Sequence, residues 1–121
     1  PDMDLFEKVR EKAISTVTLS HDPLNGIKNS DVVYTDVWAS MGQKEETEKR
    51  RLAFKDFQVN DNLMSNANSD AIFMHCLPAE RGVEVTDSIC DSPKSVIFDQ
   101  AENRMHAQNA IILRLMNAEI Y

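Results

Sequence analysis

The chain has 121 residues, 42% of them hydrophobic, and its thirteen basic against twenty acidic residues give a formal net charge of −7. That length suits one domain with its own core and is too short for two. The acidic balance argues against broad phosphate-backbone binding and so against a nucleic-acid partner, and no apolar run is long enough to cross a membrane. Two cysteines, Cys76 and Cys90, do not make a disulfide framework. Both are expected to be reduced, which points to an intracellular protein. No secretory signal pattern stands at the N-terminus, and a start at Pro1 without methionine leaves room for an excised or processed piece.

Taken in order, residues 3–13 carry Leu5, Phe6, Val9 and Ala13 at the spacing of one helix face, with acids early and bases late. Residues 16–21 alternate and are rich in β-branched side chains, which reads as a strand ended by Asp22-Pro23. A helical turn is expected over 23–29 and a second strand over 31–38. Residues 44–57 are densely charged, and Leu52, Ala53, Phe54 and Phe57 suggest one buried stripe on a solvated helix. Asn60 or Asp61 caps a further helix through Leu63, Met64 and Ala67.

Residues 71–76 read as a third strand, running into Phe73-Met74-His75-Cys76-Leu77-Pro78-Ala79. A short helix over 84–90 is stopped by Asp91-Ser92-Pro93. Residues 95–99 read as a fourth strand and 101–117 as a long helix. Strands separated by helices predict an α/β fold, a parallel sheet flanked by helices in three layers.

If the strands are parallel, the loops over 36–42, 75–82 and 99–104 open on one edge of the sheet, where open α/β sheets place their ligands. Those loops bring together two carboxylates, a hydroxyl, a thiol, an imidazole and two guanidinium groups, a mixture suited to a small zwitterionic or anionic substrate. Cys76 is open to three roles: nucleophile, polarising contact or buried spectator. A Cys76–His75 dyad is disfavoured, since neighbours on a strand point to opposite faces. The three histidines and two cysteines show no metal-ligand spacing, so no metal is expected. Arg104 stands near a predicted helix start, where a cation is unfavourable unless an anionic or carbonyl partner faces it. His106 reads as a helix-face residue. Gly26, Gly42 and Gly82, the chain's three glycines, form no phosphate cradle.

Three segments carry a resemblance: Asp36-Val37-Trp38-Ala39-Ser40-Met41-Gly42-Gln43, the run over 73–87 around His75-Cys76-Leu77-Pro78, and Gln100-Ala101-Glu102-Asn103-Arg104-Met105-His106-Ala107-Gln108. In this order they resemble the C-terminal part of the ornithine carbamoyltransferases. The Ser-Met-Gly signature is similar to the ornithine enzymes rather than to the aspartate, putrescine or acetylornithine enzymes.

The resemblance implies a Rossmann-like ornithine-binding domain and transfer of a carbamoyl group from carbamoyl phosphate to the δ-amine of L-ornithine, giving citrulline and phosphate. It implies that Asp36, Ser40 and Met41 hold ornithine, and that Cys76 orients the attack. Arg104 would donate to the carbamoyl oxygen, and the Leu77 carbonyl would accept from the carbamoyl nitrogen beside a cis Leu77–Pro78 peptide. It implies no cofactor, a homotrimer for the whole protein, and a cytoplasmic, mitochondrial-matrix or chloroplast location.

It further implies that residues 1–121 are a partial ornithine-binding domain. The carbamoyl-phosphate-binding domain is not in the sequence, nor is the first strand–helix unit of the ornithine domain. Free apolar edges are therefore expected beside 16–21 and 71–76. The rival reading is a non-catalytic amino-acid-binding or interaction module that keeps the ornithine loop.

Overall fold

The computed structural model describes residues 1–39 and 44–116. Three of its helices begin where a side chain satisfies the first free amides. In α1 (Met3–Lys12) Asp2 accepts from the Leu5 amide at 3.0 Å, with Asp4 in the first turn and Arg10 and Lys12 in the last. In α2 (Pro23–Gly26) proline occupies the first turn and Asp22 accepts from Leu24 and Asn25. Strand β1 follows at Val32–Thr35. Helix α3 (Lys44–Phe54) continues into a 3₁₀ turn at Lys55–Phe57, and Asn60 caps α4 (Asp61–Met64). Strand β2 is Ile72–His75, α5 is Asp87–Cys90, and α6 runs over Ile97–Leu115. No described helix is long and apolar enough to cross a membrane.

β1 and β2 pair in parallel with Val32 opposite Ile72 and Thr35 opposite His75. Alternation then gives the sheet one buried face, Val33, Phe73 and His75, and one open face with Val32 and Tyr34 about half exposed. Phe73 joins Ile27, Val33, Val59, Leu63, Met64, Val85, Ile89, Cys90 and Ile97 in one core. Full burial of a side chain such as Phe73 or Ile97 contributes roughly 1.5–3 kcal/mol each. Asn68 ties the two strand entrances together, its side-chain amide donating to Asn29 O at 3.1 Å and Asp31 Oδ1 at 2.7 Å.

The parallel α/β class is as predicted; the strand count is not. Residues 16–20 form no strand and pair with no strand among the described residues, and Leu19 is 39% exposed. Residues 95–99 contribute a single parallel bridge, Phe73 to Ser95, before α6 begins at Ile97. That bridge, with Phe73 N donating to Lys94 O and Val96 N donating to Phe73 O, covers the side of β2 that β1 leaves. The expected open edge beside 71–76 is thus bridged at Phe73, and among the described residues the edge without a partner is that of β1. Along it runs a groove of about 600 Å³, lined in part by Ser20, Ile27, Val33, Thr35 and Phe57.

Two further expectations are corrected. The apolar stripe of α3 is not buried: Leu52 is 66% exposed and Phe54 40%, Phe54 meeting the rings of Trp38 and Phe57 tilted and edge-on. The helix expected from residue 84 begins at Asp87, because the backbone of 84–86 is taken up beside Val59, with Val59 N donating to Glu84 O and Thr86 N to Val59 O.

Candidate functional site

Parallel pairing sends β1 and β2 out of the sheet on the same edge, one residue past the Thr35–His75 pair. Asp36 and Cys76 therefore leave side by side, and the Cys76 thiol donates to Asp36 Oδ1 at 3.0 Å. The Val37 amide donates to the same oxygen at 2.7 Å. Behind them Gln100 of α6 bridges the strands: its Oε1 accepts from the His75 amide at 3.0 Å and its Nε2 donates to the Tyr34 hydroxyl at 3.3 Å.

These contacts set the charges. The thiol's hydrogen bond holds the Asp36 carboxyl below its ordinary range, the Val37 amide adding to it against partial burial. In return the carboxylate, with burial adding, pushes the Cys76 thiol up. Cys76 is a protonated donor in this arrangement and a poor nucleophile. Asp36→Asn should therefore bring the thiolate in at lower pH, raising alkylation of Cys76 by iodoacetamide at neutral pH about tenfold for each unit the thiol falls. Mass-resolved labelling across pH checks this, with buried Cys90 as the internal reference; an unchanged profile would refute the thiol–carboxylate coupling.

His75 does not serve Cys76. The ring is fully buried, its Nδ1 accepts from the Leu77 amide at 2.9 Å and its Nε2 faces Glu84 Oε1 at 3.2 Å. Donor atoms of Asp36, His75 and Cys76 lie within 4.8 Å of one another, yet both imidazole nitrogens are already engaged within the protein, which leaves a cation there without a free nitrogen ligand. The chain then turns through Leu77, at φ 55°, and a cis Leu77–Pro78 peptide.

The third expected loop, 99–104, is helix. Because α6 starts at Ile97, Arg104 lies about two turns inside it rather than at its N-terminal end. It nonetheless stands beside the Leu77–Pro78 turn. Arg104 lines a cavity of about 470 Å³ together with Leu77, Pro78, Ala79 and Phe98. Arg81, on the same wall, is occupied by Asp87 at 2.9 Å and Asp91 at 2.7 Å, whereas Arg104 makes no hydrogen bond or ion pair with another described residue. His106 sits on the exposed helix face beside Glu102, as expected.

Of the predicted site residues, Asp36 and Cys76 are in contact, and Leu77 and Arg104 share one cavity. Ser40 and Met41 lie outside the described residues. Sequence reasoning missed three supporting groups, Tyr34, Gln100 and Glu84. For Glu84 a signal was present, a lone carboxylate between Val83 and Val85.

A family model described as "Aspartate/ornithine carbamoyltransferase, Asp/Orn binding domain" matches residues 1–115. The chain is 61% identical over 116 residues to the chloroplastic ornithine carbamoyltransferase of Pisum sativum, covering 96% of this chain and 31% of that protein. It is 59% identical over 119 residues to the ornithine carbamoyltransferase of Pyrococcus horikoshii, covering 96% of this chain and 38% of that one. Among solved structures, that of the ornithine carbamoyltransferase from Pyrococcus furiosus superposes with a TM-score of 0.83 at 51% identity, over 93% of this chain and 37% of that chain. The chain thus spans about a third of the length of these relatives.

Proposed function

The chain belongs to the aspartate/ornithine carbamoyltransferase family, and on that premise we propose that it is the ornithine-side part of an ornithine carbamoyltransferase. The observation that carries this reading is the pairing of Asp36 with a protonated Cys76 thiol at the edge where both strands leave the sheet. A carboxylate held ionised is a counter-charge for an ammonium group. In this reading Asp36, with Ser40 and Met41, holds the α-amino and carboxylate end of ornithine, and Cys76 lies against the δ-amine and the carbamoyl group. The δ-nitrogen attacks the carbonyl carbon, the new C–N bond forms, and the C–O bond to phosphate breaks with its electron pair leaving on phosphate while the amine gives up a proton. Arg104, unpaired beside Leu77, supports the negative charge that gathers on the carbamoyl oxygen, and the Leu77 carbonyl accepts from the carbamoyl nitrogen.

Phosphate recognition belongs, in this proposal, to a carbamoyl-phosphate-binding domain outside these 121 residues, and the whole protein is an intracellular homotrimer of arginine metabolism that uses no cofactor. Measured on the full-length polypeptide, carbamoylation should be fastest with L-ornithine, and aspartate, putrescine and acetylornithine should each be slower by about 10²-fold or more, since acetylornithine blocks the α-amine that Asp36 pairs, putrescine lacks the carboxylate held beside it, and aspartate lacks the δ-amine that attacks. Preference for any of those three would overturn the assignment. A second reading, an amino-acid-binding module without transfer chemistry, rests on the Asp36 carboxylate edge alone. Calorimetry separates the two, because a transferase should take up ornithine only after carbamoyl phosphate and a binding module should take it up alone.

A further inference from the structure

One fully buried carboxylate has no part in the chemistry described so far. Glu84 and His75 are both 0% exposed. Glu84 Oε1 accepts from the Glu80 amide at 2.6 Å and lies 3.2 Å from Nε2 of His75. On the far side of the ring, Nδ1 accepts from the Leu77 amide at 2.9 Å. A ring nitrogen that accepts carries no proton, so the imidazole proton sits on Nε2 and is donated to Glu84.

The consequence is mechanical. A single carboxylate oxygen ties down both ends of the loop over 76–80, Glu80 directly and Leu77 through the imidazole. The segment it holds includes Leu77 at φ 55°, in the left-handed region that leucine seldom occupies unless surrounding bonds impose it. The other oxygen, Oε2, makes no hydrogen bond among the described residues. A half-satisfied carboxylate is a costly way to fill a core position where an apolar side chain would pack. What the carboxylate does in this position is hold the loop.

We propose that Glu84 is a positioning residue for the candidate site: through His75 it selects the Nε2–H tautomer and so sets the backbone of Leu77 beside Cys76. The functional weight of that loop rests on the reading given under Proposed function; the latch itself does not. The same geometry leaves His75 no free nitrogen with which to activate Cys76.

Nitrogen-detected NMR of the His75 ring and site-resolved amide exchange on the full chain test this. The parent should show the Nε2–H tautomer with Leu77 and Glu80 amides protected. In Glu84→Ala those two amides should exchange roughly tenfold faster, while Phe73 and Val96, bonded across the sheet, change by less than about threefold. Glu84→Gln keeps an acceptor oxygen and should restore both protections. An Nδ1–H tautomer in the parent would overturn the proposal whatever the variants do. So would exchange in Glu84→Ala that is unchanged at Leu77, or that rises equally at all four amides. None of these readouts involves carbamoyl transfer, so a failure of the functional reading leaves them intact.

Discussion

The 121-residue polypeptide on its own should form no detectable citrulline from ornithine and carbamoyl phosphate. Carbamoyl phosphate carries a doubly charged phosphate, and a site that binds it needs several cations or a cradle of amides. On the cavity beside Leu77 only Arg104 is unoccupied among the described residues, because Arg81 is spent on Asp87 and Asp91. The three glycines, at 26, 42 and 82, do not cluster into a glycine-rich loop in the sequence. Among the described residues β1 presents an unpaired edge to the groove, and residues 16–20 add no strand to it. The isolated chain should therefore melt broadly and aggregate. The remainder of the proposed enzyme, supplied in the same polypeptide, should bring turnover into the range of about 1–10³ per second typical of enzymes. Citrulline synthesis by the purified 121-residue chain, measured colorimetrically, would sink the proposal that it is a partial site. A sharp two-state melt would sink the proposal that its sheet is incomplete.

Replacing Arg104 with alanine in the full-length polypeptide should lower kcat by about 10²–10³-fold, the scale for loss of one preorganised donor to a developing oxyanion. KM for ornithine should change little, because Arg104 stands at the Leu77–Phe98 cavity and not at Asp36. An interaction made chiefly in the transition state shows in kcat. Arg104→Lys should recover only part of the rate, since an ammonium on a flexible stem does not reproduce a planar two-pronged donor. Steady-state kinetics with both substrates varied decides it: kcat within about threefold of the parent would remove Arg104 from the transition state.

How far the site was legible depended on what each residue needs in order to act. Asp36, Cys76, Leu77 and Arg104 stand in recognisable segments, and the parallel-sheet argument already placed Asp36 and Cys76 on one edge, where the 3.0 Å thiol–carboxylate bond is found. The environment of Arg104 was not legible. It was read at a helix start, and Ile97 begins the helix earlier because Ser95 makes just one bridge to Phe73 before the chain turns. Glu84 was legible only as a lone carboxylate between Val83 and Val85; a carboxylate is usually solvated, and its burial follows from Val59 and His75, 25 and 9 residues away, closing around it.

The helices carry the same contrast. By itself the sequence determined α1, α2 and α4, because Asp2, Asp22 and Asn60 cap them through contacts within three residues, and helical hydrogen bonds are local. It also determined the two strands, which occupy 32–35 and 72–75 of the expected 31–38 and 71–76, whereas the strand expected over 16–21 did not form. Only the tertiary structure decided which of these became a sheet. A strand's hydrogen bonds need a neighbour that local sequence does not supply: β1 and β2 found each other across 40 residues, and 16–20, equally β-prone, remained without one.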